Sequence, residues 1–138
     1  MTNDIQITVI PRCGRQTIST GSKWEPKVGY SRAVRSGSFI PVSGTVGVKP
    51  DGEYPPAIGD QTRRSLHIIQ AAIEALGGNL QDVIRTRMFV TDFNEWEQVA
   101  KIHGEVFGEI RPATSMVQVA KLIDSEAKIE IEADAVVP

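Results

Sequence analysis

Acids and arginines on alternate positions of predicted strands carry the chemical suggestion in this chain. From Lys128 the residues read Lys-Ile-Glu-Ile-Glu-Ala-Asp-Ala-Val-Val. Side chains on a strand alternate between faces, so Ile129, Ile131, Ala133 and Ala135 share one side, and Lys128, Glu130, Glu132 and Asp134 the other. Val83 to Thr91 alternates likewise, with Ile84, Thr86, Met88 and Val90 against Arg85, Arg87 and Phe89. A carboxylate in such a row moves a proton to or from water when burial or a neighbouring charge tunes its affinity. An arginine grips a carboxylate with a two-pronged fork, or merely neutralises acids across a sheet. His67 and His103 stand at no metal-ligand spacing with the acids, and Cys13 has no partner cysteine. Nothing resembles a phosphate loop, a nucleophile elbow or a Cys/His pair, so no metal and no coenzyme is implied.

The length of 138 residues predicts one domain able to bury a core without disulfides. A net charge of −2 argues against a nucleic-acid binder, which carries a basic surplus. No apolar run reaches a membrane span, and Met1 to Gln6 lacks the basic and apolar regions of a signal peptide, which together with a lone cysteine fits the cytoplasm.

Ile5 to Ile10 and Gln16 to Thr20 are short alternating pieces, readable as edge strands or as an irregular arm. Trp24 to Val28 reads as loop because Pro26 removes a donor. Tyr30 to Val48 predicts a hairpin or meander around Ser36-Gly37, with Pro41 at an edge or bulge. Ile58, Thr62, Leu66, Ile69, Ile73 and Leu76 form one apolar stripe, a helix that Gly77-Gly78 stops. A second helix runs from about Glu95 to Phe107, capped by Asn94, with Trp96, Val99, Ile102, His103 and Val106 inward. In Arg111-Pro-Ala-Thr-Ser-Met-Val-Gln-Val, the residues Ser115, Val117 and Val119 share one face and Thr114, Met116 and Gln118 the other. A short connection at Asp124 to Ala127 predicts that this strand pairs with Lys128 to Val137 as an antiparallel hairpin. Helices occur only between strands, so both are expected on one side of one sheet. The bare side would then hold Arg85, Arg87, Phe89, Thr114, Met116, Gln118, Glu130 and Glu132. Solvent or a partner subunit covers it, and covered faces with paired charge suit small-ligand sites.

Gly29-Tyr-Ser-Arg-Ala-Val, Val42-Ser-Gly, Gln61-Thr, Val90-Thr-Asp, Phe107-Gly-Glu, Arg111-Pro-Ala-Thr-Ser and Ile129-Glu-Ile-Glu-Ala fall in the order seen in one family. Over residues 28–137 the chain resembles the RidA/YjgF family of reactive-intermediate deaminases, under an older label L-PSP endoribonucleases. The resemblance implies an α/β (α+β), chorismate-mutase-like fold: a six-stranded mixed sheet with two helices on one face, preceded by an arm over 1–27. It also implies a homotrimer with ligand sites between subunits. Active relatives hydrolyse enamines and imines such as 2-aminoacrylate to keto acids and ammonia. Their motif places an arginine after Pro-Ala to hold the substrate carboxylate. Here that position is Thr114, the usual downstream cysteine is Met116, and Ala100 stands for a helix asparagine.

The resemblance therefore implies a branch of the family without its carboxylate-binding arginine. It assigns Glu130 to activating water, with Tyr30 and Ser43 beside it, each of which also has a plain structural use. Glu130 has the alternative of an ion pair with Arg85 or Arg87. Thr114 and Met116 reshape the cleft, Arg87 and Arg111 are the arginines that could replace the lost anchor, and His103 borders it. The expected function is hydrolysis of small imines or enamines with little activity on 2-aminoacrylate. The alternative is a non-catalytic trimer binding a metabolite or a protein. Ribonuclease activity, carried only by the older label, conflicts with the acidic balance.

Overall fold

A computed structural model describes residues 4–138, which form seven strands and three helices. In chain order they are β1 (Thr8–Arg12), β2 (Arg15–Ser19), α1 (Trp24–Val28), β3 (Ala33–Arg35), β4 (Phe39–Val46), α2 (Ile58–Ala75), β5 (Val83–Val90), α3 (Trp96–Phe107), β6 (Ala113–Gln118) and β7 (Ile129–Val136). The strands make one mixed sheet in the order β1-β2-β3-β4-β7-β5-β6, parallel only between β5 and β6.

The α2 stripe is buried as its periodicity predicts: Ile58, Thr62, Leu66, Ile69, Ile73 and Leu76 are all within the core. Each fully buried aliphatic side chain of this kind contributes roughly 1.5–3 kcal/mol. Gly77, at φ 89°, closes the helix in the left-handed region. Val99, Ile102 and Phe107 of α3 join the same core, opposite Ile129, Ile131, Ala133 and Ala135 of β7. Trp96 does not, being 44% exposed at the first turn. Asp92 rather than Asn94 opens this region, its Oδ1 accepting from Asn94 N at 3.0 Å in a 3-10 turn that runs into α3.

Four other expectations change. The sheet has seven strands rather than six, because Thr8–Arg12 folds back onto Arg15–Ser19. The turn uses Cys13 and Gly14, both at positive φ (51° and 76°), the geometry that suits a two-residue hairpin but without the Asn-Gly that advertises one. Trp24–Val28 is a one-turn helix; Pro26 sits where backbone N–H groups have no helical partner to lose. Pro41 lies in an interior strand, and the β4 irregularity falls just beyond it, between Val42 and Thr45. Finally, β6 and β7 are not a hairpin. β5 stands between them, paired parallel to β6 and antiparallel to β7. β7 has an inner face of Ile and Ala at 0–1% exposure and needs a neighbour on both sides, whereas β6 is exposed along most of its length and suits the sheet's edge.

The parallel register sets Thr86 beside Thr114, Arg87 beside Ser115 and Met88 beside Met116. Paired residues share a face, so Thr114, Met116 and Gln118 lie on the helix side. Ser115 and Val117 are the ones on the bare side with Arg87 and Phe89. A shift between Val83 and Arg85 likewise buries Val83 and leaves Ile84 outside at 52% exposure.

Candidate functional site

The backbone between β3 and β4 is drawn together by short polar contacts around the β4 irregularity. Ser43 N donates to Arg32 O (2.9 Å) and Ser43 Oγ to Ser31 O (2.6 Å). Thr45 Oγ1 donates to Ser43 O at 2.8 Å. Into this knot Arg32 inserts its guanidinium, Nη1 donating to Gly44 O and, at 3.1 Å, to Thr45 Oγ1. Nη2 donates to Tyr30 Oη at 3.2 Å, and the guanidinium carbon lies 5.5 Å from the Tyr30 ring centroid. Arg32 is only 6% exposed.

Tyr30 is held from its other side by α1. The buried Glu25 accepts from Ser19 Oγ (2.6 Å) and from Thr20 N and Oγ1 (3.1 and 2.9 Å), pinning α1 to β2. Gly29, at φ 90°, then turns the chain so that Tyr30 N reaches Glu25 O.

Glu130 comes up beside Gly44 from β7. A Cβ built on Gly44 would stand 2.7 Å from Glu130 Cδ, so only glycine lets that carboxyl occupy its place. Among the described residues nothing hydrogen-bonds the Glu130 carboxyl. Burial raises its proton affinity above the ordinary glutamate value; Arg32 pulls the other way, and Glu132 adds to the rise. The sequence left open an ion pair from Glu130 to Arg85 or Arg87. Instead Glu130 sits opposite Phe89, and Arg87 Nη1 is directed at Glu132 (3.6 Å) and Asp134 (3.2 Å).

Tyr30, Arg32, Gly44 and Glu130 line a cavity of about 560 Å³, with Trp24 and Tyr54 among its walls. Tyr54 Oη donates to Asp124 Oδ2 at 2.6 Å; burial first, and this bond second, push its pKa well above the usual tyrosine range. Gln61 holds that wall in place. Its Nε2 donates to Pro55 O and Glu126 O (both 2.9 Å), and its Oε1 accepts from Lys128 N (2.8 Å). Gly47 lets α2 approach, since a Cβ there would lie 2.5 Å from Gln61 O.

The remaining expected residues gather elsewhere. Thr114 Oγ1 and Thr86 Oγ1 are 2.5 Å apart, and Thr86 Oγ1 is 2.9 Å from His103 Nε2. The His103 ring packs on Phe107 with centroids 4.7 Å apart, and burial holds its pKa below the ordinary histidine value. Met116 packs against the core from the same side. This cluster is on the helix face of β5 and β6, whereas Glu130 is on the opposite face of β7, so one chain does not bring them together. Arg111 precedes β6 at φ 54°, exposed, with Nε donating to Gly108 O at 3.1 Å; it closes the end of α3. Ser43 borders the region, but its hydroxyl proton is committed to Ser31 O. Arg32, outside the expected set, carries its signal in spacing: it stands two residues from Tyr30 in the same extended motif, where period two sends both side chains one way. Among the described residues no three His, Cys, Asp or Glu side chains could hold a metal ion, and no helix is long and apolar enough to cross a membrane.

A family model described as Endoribonuclease L-PSP matches residues 20–137. The 2-iminobutanoate/2-iminopropanoate deaminase of Escherichia coli K12 is 39% identical over 111 residues, 78% of this chain and 86% of that one. The crystal structure of Rv2704 from Mycobacterium tuberculosis, a member of the YjgF/YER057c/UK114 family, superposes with a TM-score of 0.83 at 46% identity, covering 89% of this chain and 99% of the other. That of E. coli TdcF with bound serine gives 0.74 at 36% identity, covering 79% and 88%.

Proposed function

Because the chain belongs to the RidA/YjgF family, we propose that it hydrolyses small imine or enamine metabolites, with Glu130 as the group that handles the proton of the attacking water. The observation that carries this reading is a carboxyl of raised proton affinity, free of protein hydrogen bonds among the described residues, held against Gly44 in a cavity. Such a group takes a proton from water as the oxygen bonds to the imine carbon, and returns it to nitrogen. The same group then takes the proton of the new hydroxyl and passes it to the amino nitrogen as the C–N bond breaks, leaving a carbonyl compound and ammonia from one imine and one water. Tyr30, whose hydroxyl accepts from Arg32, keeps its own O–H to orient the substrate. The similarity to an E. coli imine deaminase and to a relative holding serine supports a substrate of amino-acid size.

The site is completed, in this reading, by a second copy within a trimer. Thr114, Met116 and His103 lie on an exposed edge strand and its covering helix, away from the cavity of their own chain. Val117, 46% exposed beside Phe89, belongs to the face a neighbour would cover. With Thr114 in place of the family arginine, hydrolysis of 2-aminoacrylate is expected to be weak or absent unless another group of the cavity holds its carboxylate. The test is the rate of loss of 2-iminopropanoate and larger imino acids, generated in place by an amino-acid oxidase, with and without the protein. Failure to accelerate any of them sinks the reading. Thr114, its hydroxyl engaged by Thr86, also supports a second one, a trimer that binds a metabolite without turning it over. In that case Glu130→Gln leaves the cellular phenotype intact.

A further inference from the structure

Four side-chain ion pairs hold charges together among the described residues, and the most buried arginine belongs to none of them. Arg87 faces Glu132 and Asp134, Arg64 faces Asp4, and Arg63 faces Glu105. Arg32 is more buried than any of these arginines, yet no carboxylate of a described residue comes within 4.0 Å of it. Its hydrogen bonds all go to neutral oxygens: Gly44 O, Thr45 Oγ1 and Tyr30 Oη. They engage both hydrogens of Nη1 and one of Nη2. Nε–H and the second Nη2 hydrogen have no acceptor among the described residues. A buried cation without an anion is costly, and this one borders a cavity large enough for a metabolite.

We propose that Arg32 is the specificity-determining group of the cavity, binding the carboxylate of a small 2-imino or 2-keto acid. The two unengaged N–H groups are the donors that a planar carboxylate needs. Glu130 lines the same cavity and senses the charge of Arg32 without a hydrogen bond or ion pair to it, so neither group satisfies the other. In a 2-imino acid the carboxylate and the reacting carbon are adjacent atoms, so a molecule anchored at Arg32 presents its C=N toward Glu130. Lys23 and Lys49 also border the cavity but are exposed, where a cation discriminates poorly. Arg87 and Arg111 are engaged elsewhere, the first by two acids and the second by the end of α3.

This inference takes from the proposed function only the use of the cavity as a ligand site. It is tested by calorimetric titration of the unmodified protein with pyruvate and with pyruvamide, which share a shape and differ in charge. Pyruvate is expected to bind at least tenfold more tightly. Arg32→Gln, shown to be folded by near-UV circular dichroism, loses at least tenfold in pyruvate affinity while pyruvamide is unaffected; Arg32→Lys falls between. Equal affinities for acid and amide, no binding of pyruvate, or a folded Arg32→Gln that still binds pyruvate would each overturn the proposal. Should Arg32→Gln fail to fold, the acid–amide comparison and Arg32→Lys still decide it. Imine hydrolysis with no preference for a carboxylate would remove the role of Arg32 and leave the hydrolase. Arg32-dependent pyruvate binding without hydrolysis would do the reverse.

Discussion

Glu130 and Glu132 stand two residues apart on β7, on the same face, and meet opposite fates. At the middle of the strand, Glu132 and Asp134 share Arg87 across the β5 pairing, all three side chains partly wet. At the cavity end, Glu130 has Phe89 across the strand and Gly44 beside it, and its carboxyl keeps its proton longer than usual. The same residue type in the same alternation thus gives a charge ladder in one place and a tuned acid in the other. What separates them is contact and burial: Glu132 lies 3.6 Å from the Arg87 guanidinium, whereas the Glu130 carboxyl is desolvated and Arg32 offsets that only from a distance.

The largest effect should come from exchanging the two acids. Glu130→Gln is expected to lower imine hydrolysis by roughly 10²–10⁴-fold, the usual contribution of a positioned proton carrier, while Glu132→Gln stays within a few-fold. Steady-state rates on one imino acid compare them directly, and similar losses would erase the distinction. Next is Gly44→Ala, whose added methyl takes the space of the Glu130 carboxyl. A loss of at least about tenfold in kcat is expected with the fold retained, since a small misplacement of a reacting group costs about that or more.

Gln61→Ala sharpens the comparison through stability, because it strips three partners from the loops that wall the cavity. Denaturant titration should show a loss of about 2–4 kcal/mol. By contrast Arg87→Ala, acting on a partly exposed ladder, should cost less than about 1 kcal/mol.

The subtlest effect is in pH. Glu130 binds its proton more tightly folded than unfolded, so its contribution favours the folded state at low pH and is lost as pH rises through the folded value. Glu130→Gln has no such loss. Its melting temperature should therefore gain on the unmodified protein as pH rises above the ordinary glutamate value. A constant difference across that range would mean that Glu130 is not buried enough to matter.

Wherever burial was continuous, the residues themselves were legible. The α2 stripe, the Gly77 stop and the inner row Ile129, Ile131, Ala133 and Ala135 all lie where periodicity puts them. Edges were less readable. β6 is exposed along most of its length, with Met116 alone half-buried, so Thr, Ser and Gln there carry no burial signal. Alternation by itself puts Thr114 and Met116 on the bare face rather than the helix face where the β5 pairing holds them. Cys13-Gly14 and Pro26 misled for local reasons, an unusual turn pair and a proline at a tolerated helix position.

The chain's order of residues determined the sheet-and-helix class, the core faces and the family, because each follows from spacing along one element or from a set of motifs in sequence. Tertiary structure alone decided which acid is paired and which is not, since Arg87 and Glu132 are far apart in the chain and meet only through the β5–β7 register. It also decided that Arg32 comes to Gly44 and Tyr30. Spacing can say which way a side chain points, but the charge it meets there depends on strands that arrive from elsewhere in the chain.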